Sequence, residues 1–86
     1  MPDVYYSPQA RRDLKRLEQK VTNRIRSKLR QAADEPASFG KNIERLTGRR
    51  GFRLRVADWR VIFDWDAERN IIVHGVMARD KVYKRR

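Results

Sequence analysis

Arg53, Arg55, Arg60 and Arg79, together with Tyr83, are the side chains of this sequence best suited to work on a charged ligand. A guanidinium is planar, permanently charged and presents its donors as a rigid fork that matches phosphate oxygens, whereas a lysine offers a mobile point charge. Arginines outnumber lysines sixteen to six in the 86 residues, and the formal net charge is +11. A surface so charged repels itself unless it meets a polyanion, and nucleic acid is the usual one. Tyr83 lies four residues beyond Arg79, with Lys81, Lys84, Arg85 and Arg86 around it. Its ring either packs on a sheet edge or directs its hydroxyl at a ligand.

Other chemistries find little support. His74 sits within an apolar run, where a histidine is more often a satisfied core residue than a general base, because geometry decides that role before residue type. One histidine and no cysteine do not build a usual zinc site or a disulfide framework. There is no glycine-rich phosphate loop and no Gly-x-Ser-x-Gly elbow. The first twenty residues are interrupted by Asp3, Arg11, Arg12, Asp13, Lys15 and Arg16, which excludes an apolar signal core there. No apolar run approaches the roughly 20 residues of a membrane span. A membrane surface is a weaker partner than nucleic acid, since the cationic segments also carry acids and lack an aromatic face. These features suggest a soluble protein, and the lack of cysteine suits a reducing cytoplasm.

The elements that position these residues follow from the spacing of apolar side chains. Residues 1–86 read as a single domain, with no repeat and no linker. Val4-Tyr5-Tyr6 suits a short strand. Ser7-Pro8 starts a helix, with Ser7 at the N-cap and Pro8 at the first helical position. Ala10, Leu14 and Leu17, then Val21, Ile25, Leu29 and Ala32, recur at helical spacing. Glu18-Gln19-Lys20 is polar, and Thr22 or Asn23 offers a cap for a second helix, so a helical hairpin is expected, with one long helix as the alternative. Pro36 ends the helical region, and 36–50 reads as a loop anchored by Phe39, Ile43 and Leu46. Beyond Gly51 the period changes to two: Phe52, Leu54 and Val56 alternate with Arg53 and Arg55, and Trp59, Val61, Phe63 and Trp65 alternate with Arg60, Ile62 and Asp64. Ile71 to Met77 suits a buried strand. The expected fold is α+β, in the order β-α-α-β-β-β, with two helices packed on a small, mainly antiparallel sheet.

A two-residue turn at Ala57-Asp58 would pair Val56 with Trp59, Leu54 with Val61 and Phe52 with Phe63 on one apolar face. On the other face Arg55 would stand opposite Arg60, and Arg53 opposite Ile62. Like charges directly across a strand pair are destabilising, so the arrangement suggests an anion held between them. The alternative is that the arginines splay apart to carboxylates such as Asp58 or Asp64.

The stretch from Phe52 to Phe63, Phe-Arg-Leu-Arg-Val-Ala-Asp-Trp-Arg-Val-Ile-Phe, resembles the basic hairpin of the RelE/ParE toxin superfamily. Val76 to Tyr83 is similar to the closing strand of that superfamily, which ends in an arginine and a Val-Tyr pair, and the resemblance extends over nearly the whole chain. It implies the toxin of a type II toxin–antitoxin system, acting in the bacterial cytoplasm. For the RelE type it implies a ribosome-dependent endoribonuclease that cuts mRNA in the A site, near 16S rRNA. The 2′-hydroxyl attacks its own adjacent phosphate, and neither a metal nor a small-molecule cofactor takes part. By the same resemblance Arg53 and Arg55 would hold RNA phosphates, with Lys81 and Lys84 beside them. Arg60 and Arg79 would stabilise charge at the cleaved phosphate, and Tyr83 would stack on a base or assist proton transfer. Many relatives carry Gly-His or Gly-Lys before the closing arginine, where this chain has Met77-Ala78, so a basic group that shuttles a proton is missing there. The implied partners are a cognate acidic antitoxin, mRNA and the ribosome, with no membrane. A ParE-like inhibitor that binds DNA gyrase without RNA chemistry, or a plain basic RNA-binding module, are the other readings.

Overall fold

The computed structural model describes residues 2–39 and 42–78. Strand β1 (Val4–Tyr6) leads into helix α1 (Pro8–Lys15) and then helix α2 (Gln19–Asp34). After a 3₁₀ turn at Pro36–Phe39 come strands β2 (Ile43–Arg45), β3 (Phe52–Val56), β4 (Trp59–Trp65) and β5 (Ile71–Ala78). The sheet runs in the order β1-β5-β4-β3-β2. β1 is parallel to β5, and the other pairings are antiparallel. This is the expected two-helix α+β arrangement, with one more strand: the segment read as a loop contains β2, which completes the β3 edge.

Ser7 caps α1 as expected, accepting a hydrogen bond from the Ala10 amide at 3.0 Å. The helices are separate, not one long helix. Thr22 is no cap: α2 begins after Glu18, and the Thr22 hydroxyl instead donates to the Leu14 carbonyl across the hairpin at 3.0 Å. The same carbonyl accepts from the Leu17 amide at 3.1 Å, so the Thr22 hydroxyl adds a second bond there and ties α2 to the end of α1.

The helices cover one face of the sheet. Ala10 and Leu14 of α1 and Ile25, Leu29, Ala32 and Ala33 of α2 pack with Leu54, Val56, Val61, Phe63, Ile71, Val73 and Val76. Full burial of a side chain such as Phe63 stabilises the fold by about 1.5–3 kcal/mol. Phe52 and Trp65 close the end of this core against Phe63, with Trp65 5.0 Å from each ring centroid and edge-on to both. At the opposite end the turn Ala57-Asp58 joins β3 to β4 with φ of 54° at Ala57. A two-residue hairpin needs positive φ at its first central position, a place usually given to glycine or asparagine.

The last strand is not continuous. Ile62 pairs with Gly75 but Phe63 pairs with Val73, so His74 is the extra residue of a β-bulge. The bulge turns His74 out to solvent, which corrects its reading as a core residue. It also restores Val76 to the helix face, where it is buried.

Candidate nucleic-acid interface

The face of the sheet away from the helices is where the arginines lie. Alternation along β3 and β4 buries Leu54, Val56, Val61 and Phe63, and so turns Arg53, Arg55, Arg60, Ile62 and Asp64 to the other side. The register is the one the turn dictates: Arg55 stands directly opposite Arg60, and Arg53 opposite Ile62. On the β5 side Arg60 faces Met77 and Ile62 faces Gly75. The cationic rows therefore continue into an apolar strip that includes Met77, whose side of the sheet is solvent-exposed.

The carboxylate that meets Arg53 and Arg55 comes from β2. Glu44 of β2 is paired with Arg53 in register, and its carboxylate bridges two guanidinium groups. Oε1 accepts from Arg53 Nη2, and Oε2 accepts from Arg55 Nη2 at 3.4 Å. The Arg53 hydrogen bond and charge, reinforced by Arg55, hold the Glu44 carboxyl below the ordinary carboxylate range. Arg55 keeps half of its side-chain surface exposed (51%) against 30% for Arg53, so it is the more available of the two to an incoming anion.

The geometry of the bulge explains a second feature. β1 ends at Tyr6, opposite Val73, so among the described residues no strand pairs with the outer edge of β5 beyond that point. Asp13 of α1 takes its place: Oδ2 accepts from the Val76 amide at 2.8 Å, while Oδ1 accepts from Gln9 Nε2 at 2.7 Å. Gly75 leaves the room for this, since a Cβ there would stand 3.3 Å from Asp13 Oδ2. Beside it opens a depression of about 490 Å³ lined by Gln9, Asp13, Arg49, Ile62, His74 and Met77. Arg49, from the turn between β2 and β3, thus joins the arginine face. Nothing in its Gly48-Arg49-Arg50-Gly51 context marked it out from a solvated turn.

The structure brings together Arg53, Arg55 and Arg60. Arg79, Lys81, Tyr83 and Lys84 lie outside the described residues. Among the described residues no three His, Asp or Glu side chains converge as a metal cage would need, and no helix is long and apolar enough to cross a membrane.

This arrangement has relatives. The family model of the ParE toxin of the type II toxin–antitoxin system parDE matches residues 4–83. The chain belongs to the ParE toxin family. It is thus a toxin of the type II toxin–antitoxin class, within the RelE/ParE superfamily that its hairpin resembles. Among solved structures, the RelBE2 toxin–antitoxin complex from Mycobacterium tuberculosis matches with a TM-score of 0.73 at 23% identity, over 92% of this chain and 100% of that one. The RelB–RelE complex from Methanococcus jannaschii matches with a TM-score of 0.72 at 20% identity, over 92% and 94% of the two chains. The isolated RelE toxin of E. coli gives a TM-score of 0.72 at 18% identity, over 96% and 92%. At such identities the toxin shares their fold. No curated protein sequence matches it.

Proposed function

We propose that this toxin is a ribosome-dependent endoribonuclease that cleaves mRNA in the ribosomal A site. The observation that carries the reading is the placement of Arg53, Arg55 and Arg60 on the open sheet face, with Arg55 directly opposite Arg60. A cost in stability at that position is offset when a phosphate lies between the two. In this reading Arg53 and Arg55 hold the RNA backbone, assisted by Lys81 and Lys84, and Arg60 and Arg79 neutralise charge that develops at the reacting phosphorus. The mRNA 2′-oxygen attacks the adjacent phosphorus and loses its proton, the P–O5′ bond breaks, and the 5′-oxygen takes up a proton. The products are a 2′,3′-cyclic phosphate and a 5′-hydroxyl. Arginine is a poor proton donor at a pKa above about 12, so its part is electrostatic. Tyr83 stacks on a base or takes part in proton transfer. Much of the rate then comes from holding the 2′-hydroxyl in line with the leaving oxygen, a task the ribosome shares.

The partner that restrains it is a cognate acidic antitoxin acting in the bacterial cytoplasm. The solved complexes that share its fold pair a RelE toxin with a RelB antitoxin, and a +11 chain suits an acidic segment that folds along its basic face. Co-purification from the native operon tests this, and recovery of a fully active toxin with nothing bound to it would refute it.

The matching family model is named for ParE, which favours a second reading: a toxin that binds DNA gyrase and does no RNA chemistry. In-vitro translation with primer extension, run beside a gyrase supercoiling assay, decides between them. Ribosome-dependent cuts in the mRNA support the endoribonuclease, and gyrase inhibition without cuts replaces it.

A further inference from the structure

A carboxylate is an odd neighbour for two arginines on a face that takes up phosphates. Glu44 does not meet them by chance of a flexible tail. It is fixed on β2 opposite Arg53, and β2 is itself fastened to β3 by strand pairing and by the Arg55 amide, which donates to the Asn42 carbonyl at 3.1 Å. Each carboxylate oxygen takes one guanidinium, Oε1 that of Arg53 and Oε2 that of Arg55. Two oxygens on one central atom, bridging two guanidinium groups two residues apart on a strand, is the contact that two oxygens of a backbone phosphate would make.

We propose that Glu44 is an internal phosphate mimic that occupies the Arg53–Arg55 pair in the free toxin, so that RNA binds there by displacing it. The inference rests on the reading of Arg53 and Arg55 as phosphate-binding residues. Its consequence is selectivity. An isolated phosphate or carboxylate exchanges one bridging anion for another and gains little. A nucleic-acid strand brings several phosphates at once, so that displacing Glu44 is offset by contacts along the rest of the cationic face, beginning with Arg60 opposite Arg55. Glu44 thus raises the number of linked phosphates a ligand must supply before it is held. Its arginine partners favour the ionised carboxylate, so the competition is present at neutral pH.

The test uses the full-length toxin and a fluorescent ten-nucleotide oligouridylate, with anisotropy read at low salt. Glu44→Gln keeps size and shape and removes the charge, and Glu68→Gln, in the turn before β5, removes one charge away from the arginine face. Glu44→Gln should bind about threefold to fivefold tighter than wild type, the scale of a partly exposed ion pair, and Glu68→Gln should gain less. The gain should vanish when Arg53 and Arg55 are both alanine, as a double-mutant cycle requires of a direct competitor. Equal or weaker binding by Glu44→Gln, while alanine at Arg53 and Arg55 weakens it, would make Glu44 a positioning residue and overturn the proposal alone. If the double alanine variant binds as wild type does, the phosphate-binding reading of the two arginines fails and the proposal falls with it. A gain in Glu44→Gln no larger than that in Glu68→Gln also overturns it, as a general effect of charge.

Discussion

Arg55 faces Arg60 directly across the β3–β4 pair, and on its other side its Nη2 stands 3.4 Å from the Glu44 carboxylate. One strand position thus carries both a like-charge opposition and an exposed ion pair. Cross-strand like charges and surface ion pairs are each worth up to about 1 kcal/mol, with opposite signs.

Arg55→Thr is therefore expected to leave folding stability within about 0.5 kcal/mol of wild type in urea denaturation, since it removes both terms together. Its affinity for RNA should fall all the same. The plot of log affinity against log salt should flatten by roughly one unit, because one phosphate contact fewer releases one counterion fewer. A slope unchanged in both Arg55→Thr and Arg53→Ala would remove this face from the binding surface.

Asp13 is expected to matter through the fold. Asp13→Ala leaves the half-buried Val76 amide without its acceptor, and an unsatisfied buried donor costs about 1–3 kcal/mol. Asp13→Asn keeps an acceptor oxygen at that position and should lose less. Hydrogen exchange at the Val76 amide is the local readout: it should quicken in the alanine variant well beyond the change at Leu54, which pairs with Ile43 and Val61 and not with β5.

Glu44 gives a pH dependence whose sign is fixed. A carboxyl with a lower pKa folded than unfolded contributes stability above its unfolded pKa, and that contribution fades as the pH falls through the folded value. The Arg53 hydrogen bond and charge lower the Glu44 value from its ordinary 4.5. A carbon-detected NMR titration of the Glu44 carboxyl should therefore find its midpoint below 4.5, and Arg53→Ala should return it toward that value. Because the group is exposed, the accompanying change in stability is small. A wild-type midpoint at or above the ordinary value would show that the bridge does not persist in solution.

The register of the hairpin was legible because it follows from one decision. Once Ala57-Asp58 is the turn, period-two alternation places every side chain of β3 and β4, and a slip by one residue would send Leu54 and Val61 to solvent. Strand β2 was not legible, since Ile43-Glu44-Arg45 carries one apolar residue and exists as a strand because β3 offers it an edge. With β2 hidden, so was Glu44, whose role depends on a residue nine positions away in sequence. The bulge did leave a sign: a glycine inside an apolar strand pattern often marks one, and Gly75 follows His74. Asp13 left none, because a polar residue on an amphipathic helix reads as its solvent face. The family resemblance indicated the superfamily and the placement of the hairpin arginines, and it is silent on what else touches them.

The last prediction separates the chemical step from binding. Arg79, if it neutralises charge that appears only as the 2′-oxygen attacks, should affect turnover while leaving ribosome binding nearly intact. Loss of one such donor costs about 10²–10³ in rate, so Arg79→Ala should cleave programmed ribosomes that much more slowly in single turnover. Tyr83→Phe keeps the ring and removes the hydroxyl: a small effect assigns stacking, and a loss near that of Arg79→Ala assigns proton transfer. His74 is the contrasting case. It is exposed on the bulge and lines the depression beside Met77, yet the reading gives it no part in the reaction. His74→Ala should fold and cleave at the wild-type rate. An Arg79→Ala toxin that cleaves as fast as wild type would remove Arg79 from the chemical step, and a folded His74→Ala toxin that does not cleave would bring the histidine into it.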